Sequence, residues 1–358
     1  MQIKMLTRML TQMRINMRTK TVILVTTLAA LHLILLLASF VAPYDPTTQH
    51  RDLPYAPPTR LHFKDASGVH LHPFVYASAR VLDTNHAGSY QEDRTRAYPV
   101  RFFVRGPSYK ILGAYQATTH LFGVAEPGKL LILGTDGYGR DEFSRLLFGG
   151  QISVAVGVIA TLITLLTGCV LGVIAGYYGR WIDETLMGVT ELFLSLPWVY
   201  FLLGVRAFLP LHLSVLRTFL LLTGVIGLIG WARPARMVRG VVLSSRNRAY
   251  VLAARGFGGS DFYLLRRHIL PEVSSVLLTQ AALLVPRYIA AEVTLSFFGL
   301  GITEPAPSWG NMLSTLEQYS VLVSYAWLLA PAWALVITAV LYSSLADVLH
   351  SQLESQTV

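Results

Sequence analysis

The chain has 358 residues, 53% of them hydrophobic and 14% charged, with a formal net charge of +9. Two soluble domains are excluded by several apolar runs of about 20 residues, each able to cross a bilayer core as a helix, and a mean hydropathy of +0.50 agrees. The basic residues sit at the ends of those runs rather than along one face, which excludes a nucleic-acid reader, and one cysteine, Cys169, excludes an intrachain disulfide.

Residues 1–20 carry Lys4, Arg8, Arg14, Arg18 and Lys20 and no acid, and form a basic cytoplasmic N-terminus. Residues 21–42 are almost unbrokenly apolar. They exceed the ~7–15-residue core of a signal peptide and predict a first transmembrane helix. In residues 43–150 the character changes to Pro, His, Asp, Arg and Tyr, predicting a small, β-rich extracytoplasmic insertion. Residues 60–64 and 69–76 flank Asp65-Ala66-Ser67-Gly68 as a hairpin, and residues 100–104, before Gly106-Pro107, read as a short strand ending in a turn. His62, His70 and His72 lie close together, but without a Cys or carboxylate at ligand spacing they predict no metal. Residues 134–149, GTDGYGRDEFSRLLFG, read as a glycine-punctuated turn and a short amphipathic helix in the membrane interface, with Phe143, Leu146 and Leu147 on one face.

Residues 151–345 form a membrane core, with crossings expected at 152–177, 186–209, 215–231, 273–300 and 323–345, followed by a cytoplasmic tail at 346–358. With the first helix, the architecture is all-α and polytopic, with about six crossings. Pro197 is expected to put a static kink in the third crossing, and Arg206 to snorkel to the interface. Residues 233–267 hold Arg233, Arg236, Arg239, Arg246, Arg248, Arg255, Arg266 and Arg267 against the single acid Asp261, whereas residues 301–320 carry Glu304 and Glu317 and no Lys or Arg. The positive-inside rule puts the first segment in the cytoplasm and the second outside.

Within the basic loop 233–272 lies the sequence YVLAARGFGGSDFYLLRRHILP, residues 250–271. It predicts a helix, a corner at Gly258-Gly259, and a second helix capped by Ser260. Gly258 supplies a positive φ, and the small Ala253 and Ala254 let another protein's backbone come close. Pro271 is placed at the start of the next apolar helix, and His268 is read as a hydrogen-bonding structural residue. A loop made basic for topology alone requires no such order.

This segment resembles the EAA loop of ATP-binding-cassette importer permeases. Three further stretches carry the likeness: residues 41–46 (VAPYDP), 134–149, and 295–313 (LSFFGLGITEPAPSWGNML). Together they identify the dipeptide/oligopeptide/nickel branch, and within it the second, C-type permease subunit. The resemblance implies a type I importer permease fold, with the five crossings after the first as its core. It makes Ala253, Ala254 and Gly258 the coupling helix that seats in an ATPase groove, with Arg255, Ser260, Asp261, His268, Leu270 and Pro271 in the same hairpin. It also implies the partners: a homologous permease, two ATPase subunits that hold the ATP, an extracytoplasmic substrate-binding protein, and the lipid of a bacterial inner membrane. Leu252 stands where the loop's naming acid is expected, and the insertion is longer than in the simplest members, either as a contact surface or as decoration.

Charged residues inside crossings are candidates for function, because each is costly against lipid. Glu191, Arg287 and Glu292 are therefore read as translocation-path or gate residues. For Glu292 the alternatives are a structural contact between helices or a pairing with Arg287. No G-x-x-x-x-G-K-[ST], H-E-x-x-H or G-x-S-x-G sequence occurs, so the chain is read as a transport subunit without its own ATPase, protease or hydrolase site or cofactor. A secondary transporter, or a permease of the same family for nickel chelates or another small solute, is the alternative.

Overall fold

The computed structural model describes residues 2–65, 68–82, 88–111, 115–208, 210 and 213–357. The expected hairpin turn at Ala66-Ser67 and the side chain of Arg206 lie outside the described residues. In chain order, α1 (Gln2–Leu36) and the one-turn α2 (Ala38–Val41) precede β1 (His62–Asp65), β2 (Gly68–Leu82), β3 (Gly88–Pro99), β4 (Arg101–Ile111) and β5 (Tyr115–Gly123). Then come α3 (Glu142–Tyr178), α4 (Arg180–Ser195), α5 (Trp198–Ala207), α6 (Val215–Ile229), α7 (Ala232–Ser245), α8 (Ala249–Gly256), α9 (Asp261–Leu264), α10 (Leu270–Phe297), α11 (Trp309–Ser314), α12 (Tyr319–Ser324) and α13 (Ala330–Thr357). Among the described residues, four stretches are long and apolar enough to cross a membrane: Thr19–Leu36, Glu142–Tyr178, Asp261–Phe297 and Ala326–Gln352. The pair α6 and α7, bent by 43°, makes a fifth if it is one span.

The chain divides into two compact units: Met1–Ala29, Val154–Leu295 and Val336–Val358 form the first, and Ala30–Ser153 with Ser296–Leu335 the second. In the first, α3 packs against α7 through a glycine ladder. A Cβ on Gly168, Gly172 or Gly176 would meet Pro234, Ala235 and Val238, or Val242 at 2.8 Å or nearer. Small residues every fourth position let two membrane helices approach to backbone contact, where packing replaces the missing hydrophobic drive. Tyr177, Val238, Val242, Ile269 and Val273 continue that contact as a buried cluster.

The crossing expected at 186–209 is not one helix. α4 ends at Ser195, Leu196 turns extended (φ −74°, ψ 133°), and α5 starts at Trp198. Pro197 lacks the N–H that would continue the ladder and drives the preceding residue out of the helical region. Its carbonyl then accepts from Phe201 in the first turn of α5. The proline breaks the segment rather than kinking it, which is why four or five stretches, not six, pass on length and apolarity.

Pro271 does not start a helix either. α9 runs through a π turn, Leu265–Ile269, directly into α10, with Leu270 donating to the carbonyl of Leu265. The wide turn just before Pro271 opens the ladder where the proline has no donor to offer.

In the second unit, β1, β2 and β3 form one antiparallel sheet and β4 and β5 another. The hairpin expected at residues 60–76 is the β1–β2 pair. The strand expected to stop at Gly106-Pro107 runs on to Ile111, its register shifting between Arg105 and Tyr109 to pass the proline. Val75, Tyr98 and Leu130 are buried as a small core of the β-rich region. His62 bonds Glu92 at 3.0 Å and His70 pairs with Asp65 at 2.9 Å. Among the described residues no three His, Cys, Asp or Glu are grouped to hold a metal.

The interfacial helix expected at residues 134–149 is not separate: α3 runs unbroken from Glu142 to Tyr178. Gly149 and Gly150 lie inside it, where a Cβ would press on Ser308 and Trp309. Close packing covers the backbone that two glycines would otherwise leave exposed.

Candidate functional site

α8 and α9 form the helix–corner–helix predicted from the sequence. The carbonyl of Ala253 accepts from Phe257, that of Ala254 from Gly259, and that of Arg255 from Gly258. Gly258 takes φ +88°, a left-handed turn open to glycine at no steric cost. Ser260 caps α9 by accepting from the amide of Tyr263 at 3.3 Å.

The hairpin is tied to its own unit by polar contacts. Arg255 donates to the Tyr177 hydroxyl at 2.7 Å, and that hydroxyl donates to Asp261 at 2.5 Å. Arg246 donates to the carbonyls of Gly176 and Tyr177 at the end of α3. Glu272 in α10 accepts from Ser245, from Tyr250 and, at 2.9 Å, from Arg248. Arg239 grips Asp183 in α4 through two nitrogens. Arg255 thus fastens the end of α3 to the hairpin and Arg248 fastens the start of the hairpin to α10, while Arg246 and Arg239 hold α7 to α3 and α4.

The hairpin also leaves large apolar side chains uncovered. Phe257 is 93% exposed, Phe262 72% and Leu252 51%, with Ala253 and Leu270 also exposed and Ala254 half-buried. Leu252, at the position expected to be acidic, is among them. His268 differs from expectation: its Nε2 has no hydrogen-bond partner, and the ring packs between Tyr250 and Tyr263, each at 5.6 Å. Sequence reasoning missed Phe257, Phe262 and Tyr177. The signal for Phe257 was a large apolar residue held between glycines at the corner of an otherwise polar loop.

The other three motif stretches meet in the second unit. Tyr44 of VAPYDP accepts from the amide of Leu130, and its own amide donates to Ser144. Arg140 bonds Asp136 at 2.7 Å and Glu304 at 2.5 Å, and Arg145 reaches Glu304 at 2.8 Å. Burial would raise Glu304, but the hydrogen bonds and charges of Arg140 and Arg145 outweigh it and hold its carboxyl below the usual range. Burial pushes Asp141 the other way, up to about 7, against two hydrogen bonds from Ser144. Ser308 and Asn311 close a reciprocal capping box on α11, and Trp309 donates its ring N–H to the carbonyl of Leu146 at 3.0 Å. The Pro-Ser-Trp-Gly loop is therefore a clamp on the start of α3.

The expected path residues separate. Glu191 is 67% exposed and 3.9 Å from Arg236. Arg287 is exposed, its guanidinium 4.9 Å from the centroid of the Trp198 ring. Glu292 is completely buried within the packing of its unit. The alternative pairing of Glu292 with Arg287 is not formed among the described ion pairs; Arg287 contacts Trp198 instead.

Residues 168–357 match the family described as binding-protein-dependent transport system inner membrane component. The dipeptide transport system permease protein DppC of Bacillus subtilis (strain 168) is 37% identical over 223 residues, 62% of this chain and 67% of that protein. The oligopeptide transport system permease protein OppC of the same organism is 34% identical over 241 residues, 67% of this chain and 76% of that protein. A chain of the MetNI methionine ABC transporter, solved in an inward-facing conformation, gives a TM-score of 0.45 at 18% identity over 57% of this chain and 95% of its own, a likeness too slight to carry a conclusion.

Proposed function

Because the chain belongs to the family of binding-protein-dependent transport system inner membrane components, we propose that it is the C-type permease of an ATP-driven peptide importer. It forms half of the translocation path beside a homologous permease, and its α8–α9 hairpin docks into one of two ATPase subunits. ATP is bound and hydrolysed on those partners, and a binding protein outside the membrane delivers the peptide. The peptide substrate follows the relatives, whose names specify dipeptide and oligopeptide transport.

The observation that carries this reading is that the hairpin, tied to α3 and α10 by polar contacts, leaves Leu252, Phe257 and Phe262 exposed. An exposed apolar patch on a rigid helical corner is what a helix-in-groove contact uses. Ala253, Ala254, Arg255, Gly258, Ser260 and Asp261 shape and fasten it, and His268, Leu270 and Pro271 join it to α10. When the ATPases close on ATP, the hairpin would move with them and carry the ends of α3, α7 and α10, a two-state switch between inward- and outward-facing bundles.

The same contacts favour termini in the cytoplasm. The C-terminal end of α3 meets the hairpin through Tyr177, and Arg246 at the end of α7 bonds the last carbonyls of α3, so both ends lie on one side and the chain has to cross outward once between them. The broken pair α4–α5 occupies that place, and it restores an even number of crossings. On this topology residues 1–20 and 346–358 are cytoplasmic, the insertion within 43–150 is outside, and 151–345 is the permease core.

The test is affinity purification of the chain from its native membrane in mild detergent, with mass spectrometry of what accompanies it. The expected result is a second permease and ATPase, both retained by the wild-type chain, with the ATPase lost on Ala254→Glu. A chain that transports without any ATPase would replace this reading with a secondary transporter.

A further inference from the structure

Three irregularities of helix geometry in the first unit meet at one cavity of about 260 Å³. The break between α4 and α5 contributes Leu196 and Trp198. The 43° bend between α6 and α7 contributes Ile229 and Arg233. α10 contributes Arg287 and Tyr288, directly after its internal Pro286. Irregular backbone at membrane depth persists where it lines a cavity, and such breaks are where transporters place their binding sites.

The charge in this cavity is unbalanced. Arg236, Arg239, Arg248 and Arg255 each have a carboxylate at ion-pair distance. Among the described residues, Arg233 and Arg287 have none. Arg287 instead lies 4.9 Å from the Trp198 ring centroid, an arrangement that fixes the guanidinium plane and leaves its edge donors for a ligand. Two guanidinium groups with no carboxylate partner thus line one cavity, and an anionic ligand would supply the missing countercharge.

We propose that this cavity binds the free α-carboxylate of the transported peptide, with Arg287 and Arg233 supplying the countercharge and Trp198 positioning Arg287. The assignment rests on the peptide reading above. Peptides of differing sequence share only their backbone and their two termini, and a fixed cationic site recognises the anionic one whatever side chains precede it. A guanidinium matches a carboxylate through two parallel N–H···O bonds. The volume is smaller than the ~300–1,000 Å³ of a whole-ligand pocket, the size for one end of a chain.

The experiment uses the complete transporter in proteoliposomes, with Ala-Ala-Ala, its C-terminal amide, and Ala-Glu-Ala amide as substrates at saturated binding protein. The wild type is expected to import the free acid at least about tenfold faster than the amide, the scale of a charge-assisted bidentate contact. Arg287→Gln is expected to bring that ratio near one, and Arg287→Lys to restore part of it, with co-purifying ATPase confirming assembly. Equal loss for acid and amide, or an unchanged ratio, overturns the proposal. Import of Ala-Glu-Ala amide at the free-acid rate also overturns the assignment to the C-terminus. A direct arm does not depend on transport: N-acetylalanine is titrated into the solubilised complex, and the fluorescence difference from the Trp198→Phe complex reads occupancy. A saturable change, absent with N-acetylalaninamide and in Arg287→Gln, supports the site, and no change overturns it. If the wild type imports none of the peptides, the peptide reading fails, while this titration still decides whether the cavity takes a carboxylate.

Discussion

At the scale of residues, Phe257 separates docking from folding. It is 93% exposed, so Phe257→Asp removes almost nothing from the chain's own packing. If the side chain anchors an ATPase contact, its loss weakens that contact by about 2 kcal/mol or more, the range of an interfacial hot spot. The measurement pairs ATPase co-purification with the thermal midpoint of the isolated chain: the first falls and the second stays. The Arg140–Glu304 cluster makes a different prediction through pH. Glu304 is held low, so its contribution to stability is present above the ordinary carboxylate range and is lost as pH falls through its lowered value. Asp141, raised to about 7, has the opposite sign: between about pH 4 and 7 the unfolded chain gives up a proton that the folded chain retains, and stability falls as pH rises. In thermal melts across pH, Glu304→Gln should remove the loss at the acid end and Asp141→Asn the loss between about pH 4 and 7.

Among elements, what was legible in the sequence was what is local. The corner at Gly258, the cap at Ser260 and the β1–β2 hairpin follow from turn chemistry within a few residues, and all three are present. The break at Pro197 was underestimated, because a run of apolar residues on both sides of one proline looks like a kinked span. The restart at Trp198 becomes visible only with the extended backbone of Leu196. Pro271 was misplaced for the opposite reason: a π turn has no composition of its own. The ladder Gly168-xxx-Gly172-xxx-Gly176 was present in the sequence as small residues at a spacing of four, but its partner on α7 was not. A Cβ at Gly172 would meet the carbonyl of Ala235 at 2.5 Å, whereas one at Gly240 would meet nothing within 4 Å. Gly172→Leu should therefore destabilise by about 1–3 kcal/mol, the usual cost of overpacking, and Gly240→Leu by little, in chemical or thermal unfolding in detergent.

For the whole molecule, the sequence placed the chain in a membrane and in its family, because four motif stretches survive as continuous strings. It did not show that three of them converge. Arg140 and Glu304 are 164 residues apart and carry no mutual signal in one sequence. Their meeting explains why an Arg-rich turn and a Pro-Ser-Trp-Gly loop occur in the same protein: they hold the start of α3, whose other end carries Tyr177 against the hairpin. The proposed coupling requires the hairpin to touch an ATPase. Cys169 is the sole cysteine, so Cys169→Ser with Phe257→Cys gives a single thiol at the exposed corner. Crosslinking in native membranes with a short thiol-to-amine reagent is predicted to join this chain to an ATPase subunit, and to lose that product on Ala254→Glu. An ATPase that co-purifies but is never joined from residue 257 would contradict docking through this hairpin.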